Sequence, residues 1–361
     1  MRLPSLKIGD LVAKVPIVQG GMGVGISLSS LAGNVSLNGG IGVISGVEIG
    51  FNEADYFTNK KEANLRALKK HIKKAKEICN NGIIGINLMA VLNNFDEMVK
   101  QSVQEKIDII FSGAGLPLSL PKFTRGTSTK IAPIVSSGRT ASIICRSWDR
   151  HYQVAPDAIV VEGPKAGGHL GFSRESLFDP ANELDKLVSD VLSAIKPFEE
   201  KYNRKIPIIA GGGVFDGKDI ANLLNAGASG VQMGSRFAAT HECDASDAFK
   251  QAYIECKSDD IELIQSPVGM IGRAIKNDFL NEVKLGLKKP IRCITNCLKP
   301  CNPKEVPYCI ASALINAQKG NLESGFVFAG ANASLINKIV SVKELMEELV
   351  SEATTYFTES K

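Results

Sequence analysis

Eight short runs of apolar, mostly β-branched residues recur along the first two thirds of this chain, and each ends in glycine or a polar residue. The runs are nearly all apolar instead of alternating with polar residues, which is typical of parallel strands buried on both faces. Eight strand-helix units in about 240 residues match a TIM (β/α)8 barrel. We therefore predict this fold, with strands at residues 15–19, 41–45, 83–88, 107–111, 130–135, 158–161, 207–210 and 230–233.

The alternative architecture is an open, doubly wound parallel sheet. That fold would need the pattern G-x-G-x-x-G after its first strand and an acidic residue at the end of its second strand. The stretch Gly23-Val-Gly-Ile-Ser-Leu28 lacks the third glycine, and the run at 41–45 ends in serine. The sequence favours the barrel, with helices at 27–38 (capped by Ser27), 60–79, 95–104, 181–202 and 219–225.

The pattern changes after the eighth predicted strand. We predict that residues 1–239 form the barrel and that residues 240–320 form a helical insertion or cap, with helical segments near 244–256, 277–284 and 310–319. Residues 321–361 then return to the barrel. Their amphipathic pattern at 340–357 predicts a closing helix in the outer ring.

Composition excludes several classes of partner. The chain is 44% hydrophobic and 22% charged, and its net charge of +4 comes from 42 basic and 38 acidic residues, which is too balanced to indicate nucleic-acid binding. Residues 1–16 contain no run typical of a signal peptide, and no apolar stretch is long enough to span a membrane. We expect a cytoplasmic protein with no membrane partner.

The loop after the sixth strand is the strongest candidate for a catalytic site, because the carboxyl ends of barrel strands form the site in this fold. The strand ends in Glu162, and glycines 163, 167, 168 and 171 surround His169. These glycines permit positive φ angles and the close approach of a flat ligand. His169 is the nearby side chain that exchanges a proton near neutral pH. We predict that His169 is the catalytic acid or base.

Other strand ends carry the features of a cofactor site. Strands seven and eight end in Gly211, Gly212 and Gly213 and in Gly234 and Ser235, which together predict a phosphate cradle of backbone N–H groups assisted by the following helices. Asn87 and Gln232 supply amides of the kind that the pyrimidine edge of a flavin requires. Gly20 and Gly21, after strand one, leave room for a flat ring.

Several common catalytic signatures are absent from the sequence. It contains no H-E-x-x-H, Walker loop or G-x-S-x-G motif, and no pair of carboxylates at the strand ends. These absences leave a cofactor-driven reaction with one histidine. Cys293, Cys297, Cys301 and Cys309 could hold zinc or an iron–sulfur cluster, or could be buried as small apolar side chains, and we assign no metal ligand.

Seven motifs, in order along most of the chain, resemble the nitronate monooxygenase family, formerly called 2-nitropropane dioxygenases, which includes flavin-dependent enoyl-acyl-carrier-protein reductases. They are Pro16-Ile-Val-Gln-Gly-Gly-Met22, Ile86-Asn-Leu-Met89, Ser112-Gly-Ala-Gly115, Glu162-Gly with Ala166-Gly-Gly-His-Leu-Gly171, Ala210-Gly-Gly-Gly213, Gln232-Met-Gly-Ser-Arg-Phe237 and Arg273-Ala-Ile-Lys-Asn277.

The resemblance implies an FMN-binding TIM barrel in which His169 faces the flavin and the substrate. Glu162 departs from the glutamine that is often found there in the monooxygenases, whereas the reductases carry glutamate. The predicted cofactor-binding set, from the strand ends and the resemblance together, is Gly20, Gly21, Met22, Asn87, Glu162, Gly167, Gly168, Gly211, Gly212, Gly213, Gln232, Met233, Gly234 and Ser235.

The activity implied first is oxidation of a small-molecule substrate, an alkyl nitronate, by O2 to a carbonyl compound and nitrite. The alternative within the family is reduction of an enoyl thioester by NAD(P)H, through the same residues. A third hypothesis from the residues alone is a flavin-free barrel isomerase that uses the glycine cradle for a substrate phosphate. A homodimer is compatible with an exposed apolar face on the insertion.

Overall fold

The computed structural model, which describes residues 3–288, 293 and 296–359, contains a closed barrel of eight parallel strands. The TIM-barrel prediction is confirmed, and each predicted strand lies within two residues of an observed one. Around the barrel the strands are β3 (Ile17–Gln19), β4 (Ile41–Ser45), β5 (Ile83–Met89), β6 (Ile109–Gly113), β7 (Lys130–Val135), β8 (Ile159–Glu162), β10 (Ile208–Gly211) and β11 (Gly230–Met233), which pairs with β3.

Helices cover the outside of the barrel and fill the later part of the chain. One of them, at Gly138–Tyr152 and capped by the Ser137 side chain, was not predicted from the sequence. The helices are α1 (Ser29–Leu37), α2 (Lys60–Cys79), α3 (Phe95–Gln104), α4 (Pro121–Thr124), α5 (Gly138–Tyr152), α6 (Leu184–Tyr202), α7 (Gly217–Asn225), α8 (Ser235–Ala238), α9 (Asp247–Glu255), α10 (Asp278–Lys284), α11 (Ile310–Gln318) and α12 (Val342–Glu359).

Packing on both faces explains why the strands are apolar throughout. In β6, Ile109 and Phe111 belong to the cluster inside the barrel, whereas Ile110 packs in the layer between strands and helices. Side chains alternate in direction along a strand, so a strand with two buried faces needs apolar residues at successive positions.

A small hairpin closes the amino-terminal end of the barrel. It consists of β1 (Leu6–Ile8) and β2 (Leu11–Ala13), which pair antiparallel. Leu6 and Ile8 are fully buried and join the cluster inside the barrel. The hairpin was not predicted, because each strand has only three residues and too few alternations to recognise.

The insertion after the eighth barrel strand is not purely helical, which corrects our prediction. It contains a hairpin of β12 (Ile261–Gln265) and β13 (Ile271–Ile275), and β13 also pairs antiparallel with β9 (Gly168–His169). The Pro267-Val-Gly269 turn between two isoleucine-rich runs was the available signal. The hairpin ties the insertion directly to the predicted catalytic loop. The domain boundaries at 239 and 320 stay predictions.

The carboxyl-terminal helix completes the outer ring of helices. α12 packs against α1, α7 and α8, and Arg236 in α8 forms an ion pair with Glu348 at 2.6 Å. The backbone N–H of Gly217, at the start of α7, donates to Glu352. In the part of the chain that the structure describes, no helix combines the length and apolarity needed to cross a membrane.

A half-buried aspartate joins the insertion to the barrel. The Asp244 carboxylate accepts backbone N–H groups from Leu28, Ser30 and Leu31 at 2.8, 3.2 and 3.1 Å, and so caps α1. Our assignment of Ser27 as this cap was wrong, since the Ser27 hydroxyl instead accepts the Met22 N–H. A partner more than 200 positions away provides the cap, which local sequence cannot reveal.

Replacement of Asp244 by alanine is expected to lower the free energy of unfolding by about 1–3 kcal/mol, because it leaves helix N–H groups without acceptors. Urea unfolding of the variant measures this loss. The control is Asp247→Ala, since the Asp247 side chain is fully exposed and its ion pair with Lys250 is long, at 3.7 Å. Equal losses in the two variants would show that Asp244 does not act as a cap.

Candidate active site

One large cavity lies at the carboxyl ends of the barrel strands, where the sequence predicted a site. His169 and every predicted cofactor residue except Gly211 line it. Gly211 lies behind the wall, where an added Cβ would be 3.1 Å from Cβ of Gln232. The structure therefore brings the predicted residues together, while their individual roles stay predictions.

The glycines after the first barrel strand allow two amide side chains to approach. A Cβ on Gly21 would lie 2.3 Å from Cβ of Asn87, and a Cβ on Gly20 would lie 3.2 Å from the side chain of Gln232. We expected these glycines to make room for a flat ring. In the structure they also allow Asn87 and Gln232 to lie against the backbone at the cavity wall.

The ends of the seventh and eighth barrel strands present free backbone donors. Gly212 and Gly213 have φ angles of 105° and 92°. Within the described residues, the N–H groups of Gly213 and Gly234 have no hydrogen-bond partner. These unpaired donors at the cavity wall fit an anionic group.

We predicted that the helices after the seventh and eighth strands assist the phosphate cradle with their amino-terminal ends, and the structure does not show this. Asp216 caps α7 by accepting the Asp219 N–H at 2.9 Å, and Glu352 accepts the Gly217 N–H. Protein carboxylates therefore already occupy the start of α7. α8 has only four residues, so its dipole is small.

The sequence analysis missed the loop at residues 328–333, which completes this end of the cavity. Its Gly330 N–H donates to the Ser235 hydroxyl at 2.9 Å, and its Asn332 amide donates to the Gly213 carbonyl at 2.6 Å. The signal was a second run of small residues, Phe328-Ala-Gly-Ala-Asn332, in the segment assigned to the return to the barrel.

Two cationic side chains line the same end. Arg236 is held by Glu348 and by the Phe215 carbonyl. Lys165, in contrast, makes no ion pair with any described residue, and its stem lies beside Gly213. The sequence analysis did not select Lys165, which follows the sixth strand by three residues. This end of the cavity is electropositive.

The hairpin of the insertion holds His169. His169 pairs with Gly272 of β13, its Nε2 lies 2.7 Å from the Ser266 hydroxyl oxygen, and the ring meets Phe328 edge-on with 5.1 Å between centroids. Burial lowers the pKa of His169 to about 4, so the imidazole is neutral at neutral pH. Ser266 was not predicted, because the hairpin that brings it to His169 was not recognised.

The Ser266 contact favours one tautomer of the imidazole, because Nε2 is the acceptor that the described residues offer to the Ser266 hydroxyl proton. The Ser266 oxygen accepts the Val268 N–H at 3.4 Å, so its own proton is best donated to Nε2 of His169. The imidazole then carries its proton on Nδ1. Nδ1 has no hydrogen-bond partner among the described residues, and His169 lines the cavity.

Glu162 ends β8 at the cavity wall and forms no ion pair with any described residue. Burial raises the pKa of its carboxyl to about 7. Near neutral pH the side chain is therefore divided between the carboxylate and the neutral acid.

A second acidic residue was missed in the loop after β4. Glu48 lines the cavity with a φ angle of 49°, accepts the Tyr56 hydroxyl and pairs with Lys60 at 2.8 Å. Its charge is therefore compensated within the protein. No sequence motif marked it.

The cysteine segment contributes to the wall through Cys297, which is buried, while Cys293, Cys301 and Cys309 are half-buried. No group of three or more histidine, cysteine, aspartate or glutamate side chains is arranged to hold a metal ion within residues 3–288, 293 and 296–359.

The Glu162 carboxyl should make the flavin-free protein less stable as pH rises. The pKa of this carboxyl is about 7 in the folded protein, and its ordinary value, which we take for the unfolded chain, is 4.5. Between these two pH values the folded state therefore keeps a proton that the unfolded state has released. Glu162→Gln should therefore gain stability relative to the wild type between pH 5 and pH 8, by at least about 2 °C in melting temperature. Glu323→Gln, at an exposed position, is the control. A constant difference between wild type and Glu162→Gln would contradict the assignment.

Comparison with known proteins agrees with this geometry. The family model for nitronate monooxygenase matches residues 5–352. A probable nitronate monooxygenase of Staphylococcus saprophyticus is 26% identical over 98% of both chains. The (3aS,4S,5R,7aS)-5-hydroxy-7a-methyl-1-oxo-octahydro-1H-indene-4-carboxyl-CoA dehydrogenase of Mycobacterium tuberculosis is 24% identical over 94% of this chain and 93% of the relative.

A solved structure shares the whole architecture. FabK from Thermotoga maritima superimposes with a TM-score of 0.75 and 26% identity, covering 96% of this chain and 94% of the other. The family match spans the barrel, the insertion and most of the return segment. The chain therefore belongs to the nitronate monooxygenase family and is a flavin-dependent oxidoreductase.

Proposed function

We propose that this protein binds FMN and oxidises alkyl nitronates with O2 to a carbonyl compound and nitrite. The observation that carries the proposal is His169, a neutral imidazole in the cavity wall with Nε2 held by Ser266 and Nδ1 without a partner among the described residues. A nitronate is already deprotonated at carbon and needs no base. It needs a donor for its anionic oxygens, and the Nδ1–H group supplies one.

Two groups of residues that line the cavity support the proposal of FMN. Free N–H groups of Gly213 and Gly234, together with Lys165, would hold the phosphate, and Asn87 and Gln232 would face the polar edge of the ring. The bound flavin would take electrons from the substrate and return them to oxygen. The protein would position the substrate and hold its negative charge.

Glu162 is compatible with the monooxygenase assignment, although glutamine is often found there in the monooxygenases. With the pKa raised to about 7, its carboxyl is substantially neutral at neutral pH. A neutral carboxylic acid, like an amide, carries both a donor and an acceptor. The site therefore need not place a second full negative charge next to a nitronate.

The second candidate is reduction of an enoyl thioester by NAD(P)H. It is favoured by the apolar residues that line the cavity, since they suit an acyl chain, and by the likeness to FabK. The flavin-free isomerase has no such support, and membership of the family argues against it.

Anaerobic mixing of the purified FMN-loaded protein with propyl nitronate is expected to bleach the flavin absorbance. His169→Ala should lower the rate by about 10²-fold or more, since it removes the donor to the nitronate. Parallel samples receive NADH or NADPH. Bleaching by a nicotinamide and not by the nitronate would overturn the first candidate in favour of the second.

The phosphate assignment predicts that Gly234→Ala weakens FMN binding at least about tenfold. The added methyl would contact only the Met22 sulfur, at 3.5 Å, so the substitution is compatible with folding. It would, however, occupy space beside an N–H group assigned to the phosphate. Fluorescence titration with FMN measures the affinity, and the melting temperature of the flavin-free variant should equal that of the wild type. Unchanged affinity would place the phosphate elsewhere.

A further inference from the structure

The cavity has two chemically different halves. The strand-end half is rich in glycine and amides. A second set of lining residues, which we term the apolar wall, comes from the loop after β3 and from the insertion, and consists of Val24, Ile26, Leu298, Ile310, Ala311 and Leu314.

Among the described residues, the apolar wall offers no unpaired charged side chain to a ligand. The acidic residue beside it, Glu48, is already paired with Lys60 and Tyr56. The cations Lys165 and Arg236 belong to the opposite end, near Gly213 and Ser235. The part of a substrate that lies against this wall is therefore uncharged and apolar.

The helix α11, which carries half of the wall, is packed from behind. An added Cβ on Gly325 would lie 2.2 Å from the Ala313 carbonyl oxygen and 2.7 Å from the Ala317 nitrogen, so the backbone at 325 is in close contact with the back of α11. The Asn277 amide in turn fixes this backbone by donating to the carbonyls of Leu322 and Gly325 at 3.0 and 2.7 Å. The part of the wall that α11 carries is therefore supported from behind by the backbone at 325.

Ala311 is the smallest side chain of the wall. It lies between Ile310 and Leu314, which extend further from the same helix. Because α11 is held from behind, a larger side chain at this position would project into the cavity.

We propose that the apolar wall binds an unbranched alkyl chain of the substrate and that Ala311 sets the chain length that fits. The inference rests on the proposed function and narrows its substrate class to primary nitronates longer than propyl nitronate. Each methylene that the wall covers should raise kcat/KM roughly threefold to fourfold, which corresponds to the transfer of one CH2 from water.

The experiment measures kcat/KM of the holoenzyme for primary nitronates from ethyl to octyl. In the wild type, kcat/KM should rise steadily with the length of the alkyl chain and then reach a plateau. Ala311→Leu should lower the ratio of octyl to propyl kcat/KM at least about tenfold, because its added carbons take the space of the distal methylenes. Ser312→Leu is the matched control: Ser312 is the exposed next residue of the same helix, and this variant should keep the wild-type ratio.

A second measurement separates this inference from the nitronate reaction. The melting temperature of the flavin-free protein is recorded with 1-nitroalkanes of increasing length at a fixed concentration. A stabilisation that grows with length in the wild type and in Ser312→Leu, and not in Ala311→Leu, supports the apolar wall even if no nitronate is oxidised. Absence of a length dependence in both measurements, or equal behaviour of the two leucine variants, overturns the inference.

Discussion

Closure of eight parallel strands into one barrel is the constraint on which the rest of this structure depends. Parallel strands in a closed barrel all end at the same rim, so residues far apart in sequence meet there without any local signal. Asn87 from the third barrel strand and Gln232 from the eighth thus line the same cavity. The strand interiors are apolar on both faces, which confines polar chemistry to the strand ends.

The insertion is part of the candidate active site rather than an appendage. It caps α1 through Asp244, pairs with the His169 strand through β13, and places Ser266 against the imidazole. Each contact joins the insertion to a different part of the barrel mouth. The insertion therefore fixes both the orientation of the histidine and the boundary of the space in front of it.

The sequence was sufficient for the barrel and for the glycine-rich strand ends, since strand composition and loop glycines are local properties. It was not sufficient to predict that Ser266, Lys165 and Gly330 lie at the candidate site. Ser266 meets His169 only because a hairpin from the insertion adds to the strand after β8, and Gly330 meets Ser235 only through the return of the chain. The prediction that Ser27 caps α1 was wrong for the same reason, because the carboxylate of Asp244, from a distant segment, accepts the N–H group at the start of this helix.

Charge is distributed unevenly across the cavity, and this distribution favours one orientation of its contents. Lys165 and the unpaired N–H groups make one end electropositive, while the middle holds a neutral histidine and a glutamate whose pKa is about 7. The far wall is apolar, and its nearby carboxylate is compensated by Lys60. A phosphate is therefore most stable at the first end. A small anion finds a hydrogen-bond donor in the middle, and an alkyl group gains most at the far wall. A nitronate with an alkyl chain would combine two of these requirements, a hydrogen-bond donor for its anion and an apolar surface for its chain.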